Sequence, residues 1–234
     1  MSRAIPIILL PVILFLFSAC NCTEGEGPVV SENRDISGFS AIELQISGDV
    51  VLIQDSAFEV RVSAQENLLP LISTEVSGDK LKISTTTSCI RSSKKIRVEI
   101  RMPELEGTYL SGSGNITTGN SFKTDDLKTT LSGSGNIKLD VVANSIDSRI
   151  SGSGNIILNG TTRKQEIGIN GSGDYKAFDL ISYEAEVSIK GSGSCEIFVH
   201  NDLDAKVSGS GSVYYKGNPD VSTKISGSGN VSRH

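Results

Sequence analysis

One unit governs the second half of the chain: an aliphatic residue, then Ser-Gly-Ser-Gly-Asn, then a second aliphatic residue. Its first glycines fall at Gly112, Gly133, Gly152, Gly171, Gly191, Gly209 and Gly227, at intervals of 21, 19, 19, 20, 18 and 18 residues. A near-constant period of this length marks stacked structural repeats. The unit itself excludes helical repeats, because each interior glycine costs a helix about 0.5–1 kcal/mol. Parity inside the unit then assigns faces. Leu131, Gly133, Gly135 and Ile137 alternate with Ser132, Ser134 and Asn136. Alternate residues of a strand point to opposite sides. The aliphatic-and-glycine set must therefore face a core, and the Ser-Ser-Asn set must face water.

A turn of this length suits a three-sided coil of short strands and corners. Each coil hydrogen-bonds to the next at about 4.8 Å, so six intervals make a rod of about 29 Å. No coil buries its apolar side alone, and stability comes from stacking neighbours. The expected fold is all-β: a right-handed parallel β-helix (β-solenoid) with a modified β-rich cap region at its N-terminal end. In the coil 131–150, Leu139, Val141, Ile146 and Ile150 supply further inward positions. A slim coil has little interior volume, which fits a chain only 5% aromatic with no Trp. The inward glycines are expected where the wall pinches toward the axis or bends at a corner. Asn136, Asn155 and their equivalents are expected to form an amide ladder between coils. Cys195 occupies an inward slot and reads as a buried structural thiol.

The first residues read as targeting. Met1-Ser2-Arg3 is a short positive start, and Ile5 to Phe17 is an unbroken apolar run. That run falls short of the roughly 20 residues needed to span a bilayer and matches a signal-peptide core over residues 1–19. Leu16-Phe17-Ser18-Ala19-Cys20 resembles a bacterial lipobox, which implies cleavage before Cys20 and its lipidation. Residues 20–33 then read as a lipidated, flexible tether, Gly-rich and acidic through Glu24, Glu26 and Glu32. Asn21 is not the Asp that would suggest inner-membrane retention, and the early acids resemble surface-export signals of Bacteroidota lipoproteins. The expected location is the cell envelope, lipid-anchored at the outer membrane, with both a periplasmic and a surface-facing placement left open. With Cys20 lipidated, Cys22, Cys89 and Cys195 remain, and no disulfide framework follows from three cysteines.

Residues 34–107 alternate with period 2 at Ile42-Leu44-Ile46, Val50-Leu52, Val60-Val62 and Ile96-Val98-Ile100-Met102, which reads as strands. Gly78-Asp79-Lys80 reads as a turn, and Asn67 to Ile72 as one short helical turn. Ser47-Gly48-Asp49-Val50 is a degenerate echo of the repeat. The N-terminal β region 34–107 and the repeat region 108–234 are therefore read as one continuous solid.

Several of these residues resemble a known family. Arg34, Gly38-Phe39-Ser40-Ala41-Ile42, Asp49-Val50, Asn67-Leu68-Leu69-Pro70, Lys80-Leu81-Lys82-Ile83, Pro103-Glu104-Leu105 and the Ser-Gly-Ser-Gly-Asn-Ile units are similar to the family called putative auto-transporter adhesin, head GIN domain. The resemblance implies a secreted or surface β-solenoid of bacteria, often a Bacteroidota lipoprotein. It supplies no catalytic residues. In this chain Asn170 and Lys190 stand for the first Ser of the unit, and Ser194 and Ser212 stand for its Asn.

No pattern points to catalysis, a cofactor or a metal. The Gly-Ser-Gly-Asn units lack the third glycine and the strand-to-helix setting of a dinucleotide site. Calcium β-rolls repeat every nine residues or so with recurring Asp. His200 and His234 have no visible partners, and His200 reads as a surface strand residue. Asp125, Asp126, Asp140 and Asp147 come nearest to the carboxylate cluster of a polysaccharide-active solenoid, and they read as scattered solvated acids. The net charge of −5, without a basic stripe, argues against nucleic acid.

The candidate binding surface is the outward ladder. It comprises Ser111, Ser113 and Asn115, then Ser132, Ser134 and Asn136, then Ser151, Ser153 and Asn155. Hydroxyls and amides at fixed spacing can meet a repeating polymer such as a glycan, or a surface protein. A second copy of the chain could pair with the open C-terminal strand edge, where Arg233 and His234 stand as charged gatekeepers. The sequence also leaves open a structural, envelope-maintenance role.

Overall fold

The computed structural model describes residues 22–234. The signal-peptide segment and Cys20 lie outside the described residues. The N-terminal region contributes β1 (Thr23–Glu24), β2 (Val29–Arg34), β3 (Ala41–Leu44), β4 (Gly48–Gln54), β5 (Glu59–Gln65), β6 (Ile72–Ser77), β7 (Lys80–Thr85), β8 (Ile90–Arg91) and β9 (Ile96–Met102). The repeat follows as β10 (Gly107–Leu110), β11 (Asn115–Thr118), β12 (Phe122–Leu131), β13 (Asn136–Ile150), β14 (Asn155–Ile169), β15 (Tyr175–Ile189), β16 (Cys195–Val207), β17 (Ser212–Gly217), β18 (Asp220–Ile225) and β19 (Asn230–Arg233).

The sequence period is the coil. Ile116 pairs with Ile137, Ile137 with Ile156, Ile156 with Tyr175, Tyr175 with Cys195, Cys195 with Val213, and Val213 with Val231, all in parallel. Each unit lies directly on its equivalent, as a parallel β-solenoid requires. The alternation is equally regular. Leu131, Ile137, Leu139, Val141, Ile146 and Ile150 are at most 1% exposed, while Ser132 and Ser134 between them are exposed. Burying one such side chain contributes about 1.5–3 kcal/mol. One apolar cluster runs from Phe39 to Val213, so cap and coils share a core.

The glycines serve a purpose other than pinching the wall. A Cβ on Gly133 would lie 1.9 Å from the Gly112 carbonyl oxygen, and one on Gly135 would lie 1.7 Å from that of Gly114. What crowds these positions is the backbone of the preceding coil. The equivalent carbonyls of the next coils are acceptors: the Ser153 N–H donates to Gly133 O at 3.2 Å, and the Ser172 N–H to Gly152 O at 3.2 Å. Glycine is required because backbone stacks on backbone at this corner with no room for a methyl group.

The cap stacks out of sequence order. β3 and β4 form the coil beneath β10 and β11, with Ala41 against Gly107 and Asp49 against Asn115. β7 and β9 form the coil beneath that, with Lys80 against Ala41 and Ile96 against Gly48. Antiparallel pairing of β6 with β7, β5 with β9 and β2 with β5 then closes this end, covering an edge that would otherwise be open. The tight β6–β7 turn uses Gly78 at φ +65°, a conformation that costs glycine little. The short helical turn is present as a 3-10 turn over Leu69–Leu71. The echo at Ser47-Gly48-Asp49-Val50 is a true coil corner, since a Cβ on Gly114 would lie 1.9 Å from Gly48 O.

Two expectations are corrected. Residues 22–33 are not a free tether: β1 pairs with β8, and β2 with β5. Cys22 and Cys89 form a disulfide across a sequence separation of 67. Parity after lipidation gave no framework because spacing cannot tell which two of three cysteines meet; the β1–β8 pairing brings these two Cα atoms to 4.6 Å. Cys195 is fully buried, and that burial, with a lesser contribution from Glu196, pushes its thiol well above the ordinary range.

Candidate functional site

The repeated corner builds the candidate surface. Backbone contact fixes the glycines, so the intervening serine can only point outward. Ser113, Ser134 and Ser153 are exposed, and Ser172, Ser192, Ser210 and Ser228 continue them into a column of seven exposed hydroxyls, one per coil. Their spacing is that of the coils, about 4.8 Å. A second row, Ser111, Ser132 and Ser151, is also exposed. Within it Ser151 Oγ lies 3.3 Å from Ser132 Oγ.

The asparagines behave differently. Asn155 Nδ2 donates to Asn136 Oδ1 at 2.9 Å, Asn136 Nδ2 to Asn115 Oδ1 at 3.0 Å, and Asn115 Nδ2 to Asp49 Oδ1 at 2.7 Å. All three are half-buried. The amide ladder therefore forms and runs on into the cap. Toward the other end the position is held by Asp174, whose Oδ1 accepts from the Ser194 N–H at 2.9 Å. Asp174 is a departure from the unit that the sequence comparison of coils passed over. Because the amides largely satisfy one another, the serine hydroxyls are the groups left to meet a ligand.

The cap end of the ladder is charged. Lys95 Nζ lies 3.0 Å from Asp49 Oδ2. Burial pushes the Asp49 carboxyl up, but hydrogen bonds from Asn115 and Lys95, with the Lys95 and Arg97 charges, outweigh it and hold the group below the usual range. A lowered carboxylate contributes stability that is complete above its unfolded value and is lost as pH falls through its native one. Unfolding free energy measured against pH should therefore drop below about pH 4, and Asp49→Asn should flatten that drop. An unchanged slope would mean that this pair contributes nothing measurable. An open concavity of about 540 Å³ lies here, between Asp49, Lys95, Arg97 and Asn115.

Two of the acids set aside earlier have partners of their own, while Asp125 and Asp126 are exposed on β12. Asp147 pairs with Arg149 at 2.9 Å, and Asp140 accepts from Asn159 Nδ2 at 2.7 Å. Among the described residues no group of three or more His, Cys, Asp or Glu is placed to hold a metal ion. His200 is an exposed strand residue. Its ring lies 5.7 Å from Tyr183 and 5.1 Å from Phe198, forming a surface aromatic cluster that sequence reasoning missed. The pairing of β15 with β16 slips between Ala177 and Ile181 and again between Ser182 and Glu184, and such bulges re-aim side chains. The change of interval from 20 to 18 residues was the available signal.

Residues 38–219 match the family model described as putative auto-transporter adhesin, head GIN domain. The chain belongs to this family. Solved structures share the fold of this head GIN chain. A putative adhesin from Bacteroides fragilis superposes with a TM-score of 0.86 at 24% identity, covering 90% of this chain and 99% of that one. A putative adhesin from Parabacteroides distasonis gives 0.74 at 25% identity, over 92% and 100%. A protein of the same organism described as a putative lipid binding protein gives 0.76 at 26% identity, over 92% and 100%. No curated protein matches the sequence. The adhesin-like family points to the cell surface or envelope. Among the described residues of this head GIN chain, no helix is long and apolar enough to cross a membrane.

Proposed function

We propose that this head GIN chain is a non-enzymatic binding module of the bacterial cell envelope. It is held at the outer membrane by a lipid on Cys20 and presents its serine column to a repetitive, hydrogen-bonding polymer such as a glycan. The observation that carries this reading is the column itself: seven outward hydroxyls in line, beside the Asn115, Asn136 and Asn155 amides that largely bond one another. A rigid row loses little conformational freedom when it meets a regular partner, which favours binding. The engagement of Asp147 by Arg149 and of Asp140 by Asn159 supports a non-enzymatic role. The signal-peptide core and the lipobox support anchoring.

Glycan-array binding of the wild type and of a Ser134→Ala, Ser153→Ala, Ser172→Ala triple variant tests the column. Loss of binding in a variant with an unchanged melting temperature is the expected result. Binding that survives all three substitutions would remove the column from the mechanism.

A further inference from the structure

β18 pairs with β16 on one side, Asp202 to Val207 against Asp220 to Ile225, and with no strand on the other among the described residues. Its inward side chains extend buried columns. Leu203 and Val207 are each 1% exposed, whereas Val221 and Ile225 above them are 40% and 45% exposed. The Ser226 N–H donates to Val207 O, so the even-numbered backbone groups of β18 point at β16. By the two-residue alternation of strands, the N–H and C=O groups of Val221, Thr223 and Ile225 point to the open side.

The charges on the outer face do not suit one molecule alone. Asp220 lies in register beside Asp202, and Lys224 beside Lys206. Like charges on neighbouring strands destabilise. Across a two-fold axis through Ser222 the same charges become complementary. Antiparallel pairing of β18 with β18 of a second copy puts Asp220 opposite Lys224 and Lys224 opposite Asp220. Val221 and Thr223 then exchange backbone hydrogen bonds with the second copy's Thr223 and Val221. Inward side chains stay inward, because this register pairs odd residues with odd.

We infer that β18 is a homotypic adhesion site, at which two copies pair antiparallel about Ser222. This rests on the envelope-anchored reading above for its consequence, though not for the contact itself. β18 lies at the end of the stack opposite the cap, so the two caps of the pair sit at opposite ends. With Cys20 lipidated, the anchors leave from those opposite ends, and pairing joins two membranes.

Sedimentation of the chain from Cys22 onward, which holds the whole described structure, tests the contact. The wild type should dimerise reversibly. Asp220→Lys and Lys224→Asp each create two like-charge pairs across the axis and should weaken association about tenfold or more. Each also places opposite charges beside Asp202 or Lys206, so at dilutions where the wild type is monomeric both variants should melt no lower than it does. Mixed in equal amounts, the two variants should associate with each other, since every cross-axis pair is then opposite in sign. A monomeric wild type, single variants that dimerise normally, or a mixture that stays monomeric would each overturn the inference.

Lipidated protein on vesicles separates the two readings. Clustering that is lost in either variant and regained on mixing supports pairing between membranes. Vesicles that fail to take up the protein would sink the anchor while leaving the dimer intact. Loaded vesicles that never cluster, despite a dimer in solution, would overturn the end-to-end geometry.

Discussion

Gly135→Ala is expected to destabilise the protein by about 3 kcal/mol or more, read as a lowered urea midpoint with an unchanged slope at first approximation. The added Cβ would sit 1.7 Å from Gly114 O and 2.9 Å from Gly114 C. Neither is the movable end of a side chain. The preceding coil must shift as a body, and that coil is itself held by the Asn136 N–H donating to Gly114 O at 3.3 Å. The comparison that isolates this cause is Gly119→Ala, where the nearest atoms to a new Cβ are the Ile53 and Val51 side chains at 3.2 and 3.6 Å. There the effect should stay within about 1 kcal/mol, with reduced freedom of the unfolded chain partly offsetting the contact. Equal losses at the two sites would show that glycine's flexibility, rather than coil-to-coil contact, is what the repeat requires. Because each coil touches only its neighbours, the damage should stay local. Hydrogen exchange should rise most in β11 to β13 and least in β16.

The split between what sequence showed and what it concealed has a physical basis. Leu131, Gly133, Gly135 and Ile137 announced their face because parity is local, and the coil step was legible because each unit carries its own register mark. The ladder from Asn155 to Asn115 followed from the same marks. The cap did not. Ile42-Leu44 and Leu81-Ile83 have the same alternation, and nothing in period 2 says that Ala41 pairs with both Lys80 and Gly107. Stacking out of chain order is a property of which apolar faces remain uncovered, which no single segment contains. The glycines were placed inward with the aliphatics, on parity alone. Parity distinguishes inside from outside, but the blocked Cβ direction runs along the stack toward the preceding coil. In the candidate site, outward serines were visible in the alternation. The sharing of amides that reduces the asparagines to wall contacts depends on distances between coils.

Replacing both Cys22 and Cys89 with serine is expected to give the second large effect, up to about 4 kcal/mol, because the bond closes a long loop in the unfolded chain. The loss should be uneven. The bond joins β1, two residues long and paired only with β8, to the 86–95 loop of the cap. The strands β13 to β16 are 13–15 residues long and do not touch it. Hydrogen exchange should therefore speed up in β1, β8 and the start of β2, while the central coils keep their protection until global unfolding. The same bond sets how an anchor on Cys20 would hold the rod. Only Asn21 separates Cys20 from Cys22, so two residue steps give a reach of at most about 7 Å between Cα atoms. A lipid there would keep the cap against the bilayer. With the bond gone and β1 released, the free segment extends to Val29, and the same arithmetic gives about 30 Å. Fluorescence energy transfer from a label on the cap to dye-bearing vesicles should therefore weaken in the double variant and in reduced wild type. Equal transfer with and without the bond would show that pairing of β1 with β8 alone is enough to hold the cap at the membrane.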